Sequence, residues 1–227
     1  MRTYNSHQDS LLILAGLILV LAGYWGPWVD HFAAALVIPG FDLAEYVKFL
    51  PEVRAKTVPV TRELFYLPAP AAGLCLALAV SRLYRRLPRW ATALLAVLAM
   101  TLALIVAPPL DFIVRFPQEA ALRAEWGRQA LLAAVAFLAV VAALVWAGRL
   151  PRRVGPILVT LIAATGTSVP LWHFFAVRPA IDRAYNQPVT LGWGLWLMPL
   201  GFMLVIAAAC WQAFSPSERK QDVKRKT

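Results

Sequence analysis

Six side chains that can bind ligands or exchange protons lie near the ends of long apolar stretches of the sequence. They are Asp30, His31, Asp111, Trp172, His173 and Asp182. A histidine titrates near neutral pH, and a nearby carboxylate can orient its ring. If the apolar stretches form a bundle, these groups could meet at one end of it, in an outer vestibule that binds a ligand. The alternative is that they are interfacial residues that form ion pairs with Arg115, Arg178 and Arg183.

Cofactor and metal binding are not expected. A haem held by His31 and His173 would need both rings to face one group at the same depth, and nothing else in the sequence favours it. Cys75 and Cys210 both fall inside apolar runs, where two buried thiols are more typical than a metal-binding pair or a disulfide. The sequence therefore indicates no cofactor and no metal.

Catalytic motifs are absent from the sequence. There is no Gly-x-Ser-x-Gly, His-Glu-x-x-His, Walker or Cys-x-x-Cys pattern. No Asp, Glu, Lys or Arg lies at the centre of a long apolar stretch, which disfavours a transporter driven by protons. We therefore expect a protein that is not an enzyme, and any ATPase that it works with must be a separate chain.

The elements that must position these residues are membrane-spanning helices. The chain is 60% hydrophobic and only 15% charged, and its apolar residues form blocks of about 20, the length that crosses the hydrocarbon core as a helix. The six predicted spans are Leu11–Val29, Leu64–Tyr84, Trp90–Leu110, Arg128–Ala147, Gly155–Val177 and Leu191–Phe214. They form three hairpins in an all-α polytopic membrane protein.

The distribution of charge orients these spans. With both termini in the cytoplasm, that side carries 13 of the 22 Lys and Arg residues and only three of the 12 Asp and Glu residues. This asymmetry follows the positive-inside rule and accounts for the whole net charge of +10. Because the basic loops are short and belong to no known nucleic-acid-binding fold, nucleic acid is not an expected partner. The division is a cytoplasmic lead (1–10), a membrane domain (11–214) and a basic cytoplasmic tail (215–227).

The first outer loop, residues 30–63, is predicted to contain a short amphipathic helix on the membrane surface. The residues that define this helix are Asp42, Leu43, Glu45, Tyr46, Val47 and Leu50. Asp42 and Glu45 have the spacing of a capping box, the four apolar residues recur at helical spacing, and Pro51 ends the helix.

Small residues recur on two of the predicted spans. Ala15-Gly16 and Ala22-Gly23 lie seven residues apart in the first, and the fourth has a stripe of Ala136, Ala139, Ala143 and Ala147. Helices approach closely through such faces in lipid. These faces predict tight packing against neighbouring helices.

Three classes of function fit this architecture. The first is a membrane subunit of a transport complex, such as a permease or an accessory subunit that works with a separate ATPase. The second is a structural or assembly protein that packs against other membrane proteins. The third is a protein that binds a lipid or small ligand in the outer vestibule. The expected partners are the lipid bilayer and other membrane subunits, and the expected location is the cell membrane.

Overall fold

The computed structural model describes most of the chain. The described residues are 6–31, 33, 36–83, 87–109, 112, 120–151 and 153–214. The predicted cytoplasmic tail 215–227, the first five residues, Asp111 and Arg115 lie outside them.

The described chain is mostly helical. Its helices are α1 (Ser6–Trp25), α2 (Leu43–Val47), α3 (Pro51–Arg54), α4 (Pro68–Leu83), α5 (Arg89–Leu104), α6 (Ala120–Trp146), α7 (Val154–Ala184) and α8 (Trp193–Phe214). Short 3-10 helices cover Gly40–Asp42, Arg62–Tyr66 and Ala147–Arg149. Each predicted span overlaps one of these helices, but Ala120–Trp146 begins before the predicted Arg128 and Val154–Ala184 ends after the predicted Val177.

Among the described residues, three helical segments are long and apolar enough to cross a membrane, so the structure shows three such helices and not the predicted six. They are Arg123–Arg149, Val154–Ala184 and Trp193–Phe214. The apolar segments Leu11–Trp25, Pro68–Ser81 and Arg89–Leu104 are shorter.

Prolines explain why two of these helices end earlier than predicted. The third predicted span ends at Leu110, but the helix that the structure shows there, α5, ends at Leu104. Pro108 has no N–H to donate to the carbonyl of Leu104, four residues earlier, so the helix cannot continue in its regular pattern. In the same way, α1 ends at Trp25 rather than Val29, because Pro27, two residues further on, has no N–H to donate to the carbonyl of Gly23.

A small β-sheet, which the sequence did not predict, is added to the mostly helical fold. Strand β1 (Pro27–Asp30) lies between β2 (Ile38–Pro39) and β3 (Thr190–Leu191), and both pairings are antiparallel. The sheet joins the segment that follows α1 to the segment that precedes α8. It lies at one end of the bundle, called the sheet end below.

The predicted amphipathic helix Asp42–Leu50 is also corrected. Its apolar residues Leu43, Val47 and Leu50 are buried in the protein instead of lying on a membrane surface. α2 ends at Val47. Asp42 belongs to the preceding 3-10 turn, where its backbone is already helical, and its side chain makes no capping hydrogen bond.

Two sets of contacts hold the long helices together. α1 packs along the whole of α8, and α4 contacts α1, α5, α6 and α7. The core between them consists of small and branched apolar side chains such as Ala72, Cys75 and Val205. Helices α6 and α7, which follow each other in the chain, both pack against α4. A groove remains between α6 and α7.

A candidate ligand-binding platform at the sheet end

The sheet fixes the position of Asp30 and the loop that faces it. Val29 pairs with both Ile38 and Leu191, and Asp30 pairs with Thr190. The hydroxyl of Thr190 donates a hydrogen bond to the carbonyl oxygen of Asp30 at 2.6 Å. Asp30 is thereby held against the chain that leads into α8.

His31 is held by hydrogen bonds on both ring nitrogens. Its Nδ1 accepts a hydrogen bond from the backbone N–H of Ala33 at 3.1 Å, and its Nε2 lies 2.8 Å from the side-chain amide of Gln187. The structure places the amide nitrogen of Gln187 at Nε2, and the tautomer of the ring decides which of the two groups donates. The ring also meets Tyr185 edge to face, with centroids 5.7 Å apart.

The two carboxylates near His31 act on backbone groups. Oδ1 of Asp30 accepts the N–H of His31 at 2.9 Å, and Oδ1 of Asp182 accepts the N–H of Val189 at 2.8 Å. The second bond spans the segment between α7 and β3. The alternative prediction is that these residues form ion pairs with arginines such as Arg183. Arg183 instead forms an ion pair with Glu52, at 2.8 Å.

His173 lies in a separate environment. It is buried in α7, its Nδ1 is 2.9 Å from the carbonyl of Val169, and its ring contacts Trp172 and Phe65. Trp172 itself is 60% exposed on the outside of the bundle. His173 precedes Tyr185 by 12 residues, which is about 18 Å along a helix axis.

The structure therefore brings only part of the predicted vestibule together. Asp30, His31 and Asp182 surround the sheet, whereas Trp172 and His173 lie elsewhere, and Asp111 is outside the described residues. Ligand binding by this group stays a prediction. His31 and His173 lie in different environments, with different partners for each ring, and nothing among the described residues places them around one haem.

A charged cluster that the sequence analysis missed is centred on Glu45. Lys48 forms an ion pair with Glu45, and the hydroxyl of Tyr66 donates to Glu45 Oε1 at 2.8 Å. Burial acts to raise the pKa of Glu45, but the hydrogen bonds from Lys48 and Tyr66 and the charges of Lys48 and Arg62 outweigh it, so the pKa lies below its ordinary value. The i,i+3 spacing of Glu45 and Lys48 was the signal available in the sequence.

Arg62 connects this cluster to the start of α6. Its Nη2 donates to the carbonyl of Glu125 at 2.7 Å, and its Nε lies 3.4 Å from Glu63. The guanidinium of Arg62 and the ammonium of Lys48 both lie over the ring of Trp126, at 5.1 and 5.2 Å from its centroid. Cation–π contacts of this kind hold cations and ring in one arrangement.

Two cavities adjoin this cluster. The first, called the basic cleft, has a volume of about 650 Å³. It is lined by charged side chains from residues 48–63 and from α6. Four of these are cationic and two are anionic: Lys48, Arg54, Arg62 and Arg128, with Glu63 and Glu125. The second, called the apolar groove, has a volume of about 320 Å³ and lies between α4, α6 and α7.

A third cavity lies at the opposite end of the bundle. It has a volume of about 520 Å³, and its lining includes Ser81, Thr92, Gly148 and Arg149. It shares no residue with the other two cavities.

The comparisons with known proteins add no functional assignment. The chain matches no protein-family model, no curated protein and no solved structure. The functional argument therefore depends on the geometry described above.

Proposed function

We propose that the chain is a six-span integral membrane protein with the sheet end outside the cell and both termini in the cytoplasm. The position of tryptophans on α6 supports membrane insertion. Trp126 and Trp146 are 20 residues apart, which is about 30 Å along a helix and equals the thickness of the hydrocarbon core. Tryptophan is enriched at both membrane–water interfaces.

The packing of the shorter helices supports their inclusion among the spans. Gly16 of α1 lies against Gly201 of α8, and Gly23 lies against Met198, so the two helices run antiparallel over their length. Since α8 is long enough to cross a membrane, the packing of α1 along it supports a span for α1 at the same depth. α5 exposes Trp90, Leu94 and Val97, which suits a lipid-facing helix.

Cysteine accessibility tests this topology. In a background with Cys75→Ala and Cys210→Ala, we expect Ala55→Cys to react with a membrane-impermeant maleimide in intact cells. Pro88→Cys and Gly148→Cys should react only after permeabilisation, because the arginine-rich loops that contain them face the cytoplasm. If only α6, α7 and α8 crossed the membrane, Pro88→Cys would be labelled from the same side as Ala55→Cys, and the six-span proposal would be wrong.

The functional proposal is a non-catalytic membrane subunit of a larger assembly, namely a permease or accessory subunit of a transport complex with a separate ATPase. The observation that supports an assembly role is the large exposed apolar surface of α6. In the membrane-length segment of α6, only 17% of the residues in its most apolar stretch are buried, against 44% in α8. Large apolar side chains such as Leu131 and Leu138 are left for lipid or a partner helix.

The charged residues at the sheet end support binding rather than catalysis. Asp30, His31 and Asp182 make hydrogen bonds that hold the segments next to the sheet. Glu45 contacts the side chains of Lys48, Arg62 and Tyr66. Carboxylates used in this way fix a surface that a partner could recognise. A structural role without transport, and small-ligand binding near His31, are the alternative proposals.

Purification in native membrane patches tests the assembly role. We expect a second membrane protein to remain bound in a fixed ratio, detected by mass spectrometry of the intact complex. A Leu131→Trp/Leu138→Trp variant, which changes the exposed face of α6, should lose the partner, whereas Leu200→Trp on the exposed face of α8 should keep it. Recovery of the chain alone in every preparation would contradict the proposal.

A further inference from the structure

The basic cleft and the apolar groove are neighbours along two walls. On α6, Arg128 lines the cleft and Leu132 lines the groove. On the other wall, Glu63 lines the cleft and Leu67 lines the groove. The pair on α6 is four residues apart, which is about 6 Å along an α-helix. Glu63 and Leu67 are also four residues apart, along the 3-10 helix Arg62–Tyr66 and its end, which is about 8 Å. A polar cavity therefore lies one turn above an apolar one, along the same two chain segments.

We propose that the basic cleft and the apolar groove together bind one anionic phospholipid, with its phosphate in the cleft and one acyl chain in the groove. This inference rests on the membrane placement proposed above. It concerns residues different from the predicted vestibule around His31. The occupant must be amphiphilic, since one half of the site is charged and the other half is apolar.

The charge of the cleft favours an anionic headgroup. Its four cations exceed its two carboxylates, which leaves a net charge of +2. Lys48 and Arg62 are already engaged with Glu45, Glu63 and Trp126. Arg54 and Arg128 are exposed and have no ion-pair partner among the described residues. A guanidinium binds phosphate oxygens through two parallel hydrogen bonds, so these two arginines are the expected phosphate ligands.

The depth of the cleft suits a headgroup. Trp126, which marks one interface of α6, contacts Lys48 and Arg62 of the cleft, and Arg128 lies half a turn further along the helix. Cationic side chains at this level are at the height of lipid phosphates, and the groove begins immediately below them. A soluble anion would use the cleft alone and leave the groove without an occupant.

The lining of the groove suits an acyl chain. Leu74, Leu132, Ala136 and Ile162 contribute apolar side chains. The hydroxyl of Thr165, which also lines it, donates to the carbonyl of Leu161 at 2.9 Å and so is satisfied within its own helix. The groove offers water no partners, and a chain of methylenes fills such a space in a bilayer.

Lipid retention on the full chain tests the proposal. The protein would be placed in nanodiscs containing equal amounts of phosphatidylglycerol and phosphatidylcholine, and the lipids that remain bound would be counted by native mass spectrometry. We expect one phosphatidylglycerol per chain. The double variant Arg54→Gln/Arg128→Gln should weaken its retention about tenfold or more, because it removes both guanidinium groups that are the expected ligands of the phosphate. Arg123→Gln, on the same helix but outside the cleft, should leave it unchanged.

The groove is tested separately with Ala136→Phe, which fills it, and Ala134→Phe, which adds the same ring on the exposed side of α6. Only Ala136→Phe should reduce retention of the lipid. Equal retention of both lipids by the unmodified protein would overturn the proposal, as would an unchanged double arginine variant. Displacement of the lipid by millimolar inorganic phosphate with Ala136→Phe having no effect would assign the cleft to a free anion instead. None of these failures would alter the cysteine-labelling result, so the membrane topology is judged independently.

Discussion

Substituting Gly23 with alanine is expected to destabilise the folded protein by about 2–3 kcal/mol, because the new methyl group has no space to occupy. A Cβ at this position would lie 2.2 Å from the backbone nitrogen of Met198. A backbone atom cannot rotate away as a side chain can, so α1 and α8 would have to separate. Gly201→Ala should behave similarly, since its Cβ would lie 2.5 Å from the backbone nitrogen of Val20.

The measurement is thermal unfolding in a mild detergent, followed by loss of the monodisperse peak in size-exclusion chromatography. Gly127→Ala is the matched control, because Gly127 also lies within a long helix but a Cβ there would meet nothing within 4 Å. That variant should be unchanged or more stable by up to about 1 kcal/mol, since alanine favours helix more than glycine does. Equal melting temperatures for Gly23→Ala and Gly127→Ala would show that α1 and α8 do not pack as described.

The glycine face of α1 is a feature that could be predicted from the sequence. The spacing of Gly16 and Gly23 places both on one side of a helix, and the structure puts that side against α8. What the spacing could not predict is the partner, because α8 lies at the other end of the chain. The alanine stripe of α6 is similar, since Ala143 and Ala147 are buried against the bundle.

The small sheet could not be predicted, for two physical reasons. Strands of two and four residues are too short to show an alternating pattern. The hydrogen bond that joins Thr190 to Asp30 also connects residues 160 positions apart. Pairing over such a separation depends on how α1 and α8 pack, and only the folded bundle brings these segments together.

The candidate site also has a part that could be predicted from the sequence and a part that could not. The sequence placed Asp30 beside His31, but the partner of the His31 ring, Gln187, is 156 residues away. The contact of Arg62 with Glu125 spans 63 residues. Asp182 and Arg183, expected between two spans, lie in the last turn of α7. The clusters that the charged groups form depended on tertiary packing.

Trp28→Ala is expected to destabilise the protein by about 3–5 kcal/mol, the range for removing a large buried aromatic side chain. Trp28 is fully buried, and its ring meets Phe174 edge to face with centroids 5.7 Å apart. Its indole N–H also donates to the carbonyl of Gly23 at 3.1 Å. In a regular helix that carbonyl would accept from the residue four positions later, but Pro27 has no N–H to give. The indole of Trp28 therefore replaces the hydrogen bond that Pro27 cannot make, and it closes α1 at the point where β1 begins.

Trp28→Phe separates the two contributions of this side chain. It keeps an aromatic ring near Phe174 but leaves the Gly23 carbonyl without its donor, so a loss of about 1–3 kcal/mol is expected. Trp196→Ala is the control, because Trp196 is 58% exposed on α8 and its removal leaves no cavity inside the protein. All three variants would be compared by thermal unfolding in the same detergent. If Trp28→Phe were as stable as the unmodified protein, the hydrogen bond to Gly23 would have no role in ending α1. If Trp28→Ala were no less stable than Trp196→Ala, the burial of Trp28 between α1, α7 and the sheet would be wrong.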